Sequence, residues 1–232
     1  MLGIPVRIAI SVLAGLGALA LPAGAQIAPS EAEIGGYGGL LAAAASGDAK
    51  TLGALLDQGA SIEQRDGHGR TALQIAVYRR KPEAATLLLA RGADANAFDV
   101  QRYDIVTIAA VADDQAMLDL ALRSGGKAAN ITSPYEGTAL IAAAHLGHVA
   151  VVKRLIAAGA PLDHVNNLGW TALIEAIVLG DGGQRHTEVL GLLVAAGANV
   201  NLPDRNGSTP LTLAIARGYG PMAEILRQAG AK

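Results

Sequence analysis

The sequence predicts an all-α solenoid of about six helix-turn-helix units, each close to 33 residues long. Three observations carry that expectation. The stretch GRTALQIAVYRRKPEAATLLLARGADAN at 69–96 returns as GTALIAAAHLGHVAVVKRLIAAGA from Gly137, GWTALIEAIVLG from Gly169 and GSTPLTLAIARGYG from Gly207. The Thr of the triplet falls at Thr71, Thr138, Thr171 and Thr209, in steps of 67, 33 and 38 residues. A Gly, followed by Ala in all units but one, falls at Gly59, Gly92, Gly125, Gly159, Gly197 and Gly230, in steps of 33, 33, 34, 38 and 33. Two independent markers on one beat identify a fold unit copied along the chain. The double step of 67 predicts a degenerate copy, found as YDIVTIAAVADD from Tyr103.

The elements follow in chain order. Residues 1–25 read as a secretory signal peptide: one basic charge at Arg7, the apolar run IAISVLAGLGALAL at 8–21, and Pro22-Ala23-Gly24-Ala25 as a small-residue cleavage site. The run is shorter than the roughly 20 residues that span hydrocarbon. Cleavage is expected after Ala25, leaving no stable membrane anchor and a periplasmic or secreted product. The chain has 0 Cys, so neither a disulfide framework nor an acylated thiol is expected. Residues 26–36 are expected as a flexible lead, ending in the glycine-rich Gly35-Gly36-Tyr37-Gly38-Gly39. The repeat domain fills 37–232, with units at about 37–65, 66–98, 99–132, 133–165, 166–203 and 204–232.

Within a unit, Leu73, Ala76 and Val77 share one face of a short first helix, and Ala84, Leu87 and Leu88 share one face of a second. Alanine in the first helix gives high helix propensity and close approach. Gly92 ends the second helix where a left-handed residue is needed. Asp66-Gly67 and Asn206-Gly207 mark tight turns between units. Neither helix is long enough to stand alone, so stacking buries their faces. The first unit lacks the Thr. The third has Asp104 in its place and Gly125-Gly126 for Gly-Ala. The fifth carries five additional residues around 180–186, expected as a loop at the opposite end of the helices from the turns between units. The sixth is expected to serve as the C-terminal cap.

A 33-residue period with T-P-L-H-x-A near the start of each unit is the ankyrin signature. Thr209-Pro210-Leu211-Thr212-Leu213-Ala214 matches it most fully; the units at Thr71 and Thr171 keep the Thr, Leu and Ala. Over residues 37–232 the chain resembles the ankyrin-repeat family. The resemblance implies β-turn fingers, a concave face made of finger tips and first helices, and another protein as the partner held there. It also suggests two settings, support of oxidative-stress defence near catalases and immunity against toxic effectors.

The sequence holds little that points to catalysis. His145-Leu146-Gly147-His148 has the spacing of a ligand pair, but a metal site needs more converging groups, and the resemblance places His148 in a structural Gly-His turn. Arg123-Ser124-Gly125-Gly126-Lys127 fails the phosphate-loop pattern at Ala121 and Ala128. No enzyme activity, cofactor or metal is expected. With 18 Lys+Arg against 20 Asp+Glu and no basic run, nucleic acid is not an expected partner. A small-molecule carrier or hydrolase built on the solenoid is the second reading, and it requires a deep apolar pocket with converging polar groups, placed at unit three.

The chain has 5 Tyr, 1 Trp and 1 Phe. The column one residue before the Thr reads Tyr37, Arg70, Tyr103, Gly137, Trp170 and Ser208, so three aromatics share it at alternate units. At a helix packing distance of roughly 8–10 Å, those rings form a ladder with about 20 Å between rungs. Tyr135, Arg102 and Arg205 lie close by in their own fingers, and Tyr78, Arg79, His145 and Arg217 sit at the ends of first helices. Tyr, Trp and Arg are enriched in binding hot spots, and these residues form the expected partner-binding set on a monomeric chain.

Overall fold

The structure, a computed structural model, describes residues 26–232. The expected signal peptide at 1–25 lies outside the described residues. Among those described, α1 (Glu31–Gly36) precedes six helix pairs: α2 (Gly39–Ser46) with α3 (Ala49–Asp57), α4 (Ala72–Tyr78) with α5 (Pro82–Ala90), α6 (Ile105–Val111) with α7 (Gln115–Arg123), α8 (Ala139–His145) with α9 (Val149–Ala157), α10 (Ala172–Val178) with α11 (Gln184–Ala195), and α12 (Pro210–Ala216) with α13 (Gly220–Gln228). No strand forms among the described residues; two isolated antiparallel bridges pair Arg65 with Thr71 and Thr132 with Gly137. The first helices stack as one row and the second helices pack behind them. This is the all-α solenoid that the 33-residue beat predicts.

Both sequence markers have a local physical job. The side chains of Thr71, Thr138, Thr171 and Thr209 each accept a hydrogen bond from the backbone N–H three residues on. That satisfies one of the donors a helix start leaves orphaned. In unit three the Asp104 carboxylate takes the same bond from Thr107 N at 2.8 Å, so the unit that lost its Thr kept its cap. The six Gly that close the units all have φ between 77° and 96°, a conformation glycine adopts without a Cβ clash. At Gly126 a Cβ would lie 2.7 Å from the Val106 side chain and 2.8 Å from the Ala121 carbonyl oxygen. The second glycine of the unit-three pair is therefore a packing requirement.

The core runs the length of the solenoid between the two rows. Leu73, Ala76, Val77, Ala84 and Leu88 are buried as the helical spacing predicts, while Leu87 is only half-buried. No helix among the described residues is long and apolar enough to cross a membrane.

Two stretches carry more local structure than the sequence suggests. The lead expected to be flexible contains α1, because Ser30 and Glu33 form a capping box, Ser30 Oγ accepting from Glu33 N at 3.2 Å and Ser30 N donating to Glu33 Oε2 at 2.8 Å. The insertion of unit five is only partly a loop. Two of its residues lengthen the turn after α10, and the other three extend α11 to 12 residues, against 9 in α5. His186 anchors the start of that extension: its ring is buried, with Nε2 2.8 Å from the His145 carbonyl oxygen and Nδ1 2.8 Å from Asp181 Oδ1. Tyr219 Oη donates to the Gly180 carbonyl at 3.1 Å from the other side, which pins the turn to unit six as well.

Candidate functional site

Four fingers are each folded by one polar side chain five residues before the helix cap. Asp66 Oδ1 accepts from the N–H groups of His68 and Arg70, Asp99 Oδ1 from Gln101 and Tyr103, Asn166 Oδ1 from Leu168 and Trp170, and Asp204 Oδ1 from Asn206 and Ser208. These Asx turns mimic a backbone turn and fix the tip. Neighbouring fingers then bond to one another: Val100 N donates to His68 O at 3.1 Å, Ser133 N to Arg102 O at 3.2 Å and Asn167 N to Tyr135 O at 2.9 Å. Fully buried Gln74 ties unit two to unit three, its amide donating to Ala97 O at 3.0 Å and Tyr103 O at 2.8 Å. The tips of units two to five thus form one ridge tied together by backbone hydrogen bonds.

The structure leaves most of the expected set on that ridge or at the first-helix ends beside it. Arg102 and Arg205 are exposed; Tyr37, Tyr78, Arg79, Tyr135, His145, Trp170 and Arg217 are partly covered. The Arg102 guanidinium sits 5.2 Å above the Phe98 ring, a cation–π contact within its own finger. Val100 and Leu168 add exposed apolar tips that the aromatic column does not reveal.

Arg70 and Tyr103 depart from expectation. Arg70 is 0% exposed and Tyr103 4% exposed, so neither is presented on the surface. Tyr103 joins the apolar core, and burial pushes its hydroxyl up to about 12. Arg70 is buried because its charge is matched on every side. Its Nε donates to Asp66 Oδ2 at 2.7 Å, Nη1 to the Ile27 carbonyl at 2.8 Å, and Nη2 to Glu33 and to Tyr37 Oη, the last at 3.1 Å. Tyr37 Oη itself donates to Asp66 Oδ2 at 2.6 Å. Column position alone cannot reveal this burial, since the lead supplies half of the cage.

One residue on the first-helix row escaped the sequence reading. Glu175 occupies the column filled by Ile75, Ile108, Ala142 and Leu213 in other units, yet is 4% exposed. Its Oε1 accepts from Asn166 Nδ2 at 2.9 Å, and Oε2 lies 3.7 Å from His145 Nδ1. Burial pushes the carboxyl up to about 7, against the opposing pull of the Asn166 bond, and burial also lowers His145. A charged residue in an aliphatic column was the available signal.

Two open depressions lie on the second-helix side. One of about 540 Å³ is bordered by Gln184, Glu188, Leu192 and Ile225, and one of about 470 Å³ by Pro82, Thr86 and Leu87. Neither includes a residue of unit three, where the carrier reading places its pocket. His148 is engaged structurally, its Nδ1 lying 3.0 Å from the Ala110 carbonyl oxygen.

Comparison with known proteins agrees with this geometry. A family model described as "Ankyrin repeats (3 copies)" matches residues 20–99 and 106–204, and one described as "Ankyrin repeats (many copies)" matches 183–227. The ankyrin repeat protein YahD of Escherichia coli (strain K12) is 34% identical over 192 residues, covering 82% of this chain and 95% of YahD. The nuclear factor NF-kappa-B p105 subunit of Gallus gallus is 31% identical over 176 residues, but the chain spans only 17% of its length. Among solved structures, an ankyrin repeat domain from Acinetobacter baumannii AYE is 44% identical with a TM-score of 0.80, covering 83% of this chain and 98% of that one. The ankyrin repeat domain of Bcl-3, a member of the IkappaB family, is 26% identical with a TM-score of 0.75, covering 85% of this chain and 88% of that one. Domains of this kind are generally non-catalytic scaffolds for protein interaction.

Proposed function

The chain belongs to the ankyrin-repeat family, and on that premise we propose that it is an exported, non-catalytic scaffold that holds or masks one partner protein in the periplasm. The observation that carries this reading is the ridge of Arg102, Tyr135 and Trp170 with the exposed tips Val100 and Leu168, its neighbouring fingers bonded through the backbone, and Arg205 exposed beside it on the finger of unit six. Aromatic and cationic anchors on a preorganised surface lose little entropy on binding. Export is supported by the basic, apolar and small-residue succession at 1–25. Stress defence and effector immunity both fit a masking scaffold; the resemblance alone suggests them.

The test is capture in the native periplasm, comparing wild type with a Tyr135→Ala/Trp170→Ala/Leu168→Ala variant. A protein recovered by the wild type and lost by the folded variant supports the scaffold reading. Equal recovery by both removes the ridge as the binding surface.

A further inference from the structure

The polar cage around Arg70 is built partly from outside the repeat array. Segment 26–36 reaches both ends of the first helix of unit two. Ile27 and Glu33 meet Arg70, which directly precedes the cap of α4, and Glu31 Oε1 accepts from Arg79 Nη1 at 2.7 Å where α4 ends. Glu33 Oε1 also lies 3.1 Å from His68 Nε2 in the finger. The segment therefore lies along the same first-helix side that Tyr135, His145 and Trp170 line further on.

Charge holds it there together with limited packing: Pro29 is buried and Ile34 packs against the core. No residue of α1 is buried, and Ile27 is 47% exposed. A six-residue helix has no stability of its own, and exposed ion pairs such as Glu31 with Arg79 contribute little. Gly35, Gly36, Gly38 and Gly39 join it to α2, and a Cβ at any of them would meet nothing within 4 Å. Packing does not require those glycines, and of the four only Gly39, at φ 56°, adopts the left-handed backbone that favours one. Among the described residues, Gln26 Nε2, Tyr78 Oη and Arg79 Nε are buried without a hydrogen-bond partner. Arg79 is the residue that Glu31 pairs with, and Gln26 belongs to the segment itself. Arg70 does not depend on it, because Asp66 and Tyr37 keep it paired from within units one and two.

We propose that segment 26–36 is a built-in occupant of the partner-binding face, and that the partner presents a short acidic segment which displaces it from Arg70 and Arg79. This rests on the scaffold reading and extends it to unit two. The ridge at Trp170 is the open half of the face, and the half under α1 opens only in exchange. Because the occupant is tethered, its effective concentration is high and a competitor must overcome it.

The test uses the full chain and a synthetic peptide of residues 26–38 as the probe. Glu31→Gln/Glu33→Gln weakens the occupant without changing its size. A second variant with a twelve-residue Gly/Ser insertion after Gly38 keeps every contact but lowers the effective concentration. Both variants are expected to bind the peptide on the order of tenfold or more tighter than the wild type. Adding Arg79→Gln, or placing the two Gln in the peptide, is expected to abolish the gain. Peptide binding that is equal in all forms, or absent from both variants, overturns the proposal. So does loss of the folded far-ultraviolet signal in the insertion variant, which would make α1 an obligatory cap. The capture experiment through Trp170 leaves Arg70 and Arg79 untouched, so the two readings fall separately.

Discussion

Replacing Glu175 by Gln tests the electrostatics of the first-helix row most directly. Glu175 is buried with Asn166 Nδ2 on one oxygen and the lowered His145 on the other, and its carboxyl titrates near 7 where 4.5 is ordinary. Because the folded value is raised, the sign is fixed. Below pH 4.5 the group is protonated in both states and contributes no penalty. Between 4.5 and about 7 the unfolded chain ionises while the folded chain keeps its proton, so stability falls as pH rises through that window. At about 1.4 kcal/mol per pH unit, the full gap amounts to about 3 kcal/mol above pH 7. Gln keeps the shape and can still accept from Asn166, so Glu175→Gln should recover most of that amount at pH 8 and almost none at pH 4.5. For a chain of this size that is a rise in melting temperature of about 6–12 °C at pH 8. Urea unfolding of both proteins across this range measures it, with the m-value as a check that the unfolded state is unchanged. A difference between the two proteins that does not grow with pH, or a variant less stable at pH 8, refutes the reasoning.

Three further outcomes follow from the geometry. Arg70→Ala leaves Asp66 buried with its main cation gone and should cost about 3–5 kcal/mol of stability in chemical unfolding; a loss under 1 kcal/mol would mean that the cage is not a buried ion network. Leu173→Ala empties a fully packed core site and should cost about 2–5 kcal/mol, whereas Trp170→Ala should barely move the melting curve and should weaken binding to a captured partner by about 2 kcal/mol or more. Equal destabilisation by those two substitutions would make Trp170 a core residue. Glu136 has φ 54°, in the finger column where Gly69, Gly169 and Gly207 adopt the same left-handed backbone, so Glu136→Gly should raise stability by about 1 kcal/mol in thermal unfolding.

The sequence alone determined the architecture. A 33-residue beat kept by the Thr and Gly columns could mean only stacked copies, because each marker performs a local act: Thr71 and its equivalents cap a helix, and Gly92 and its equivalents end one. Local acts are legible because they involve residues a few positions apart. The finger tips were partly legible for the same reason, although the Asp66, Asp99, Asn166 and Asp204 column that folds them passed unnoticed beside the more conspicuous Gly. What only the tertiary structure decided is which members of a column face solvent. Tyr103 and Trp170 stand in one column, yet Tyr103 is core and Trp170 is half-exposed. Arg70 disappears inside a cage whose other walls come from residues 33 to 43 positions away in unit one and the lead. Burial depends on what neighbouring units and the N-terminal segment lay across a position, and a periodic pattern carries no information about that. The titration of Glu175 follows the same rule: its raised value comes from desolvation between two stacked helices, a property of the packed array.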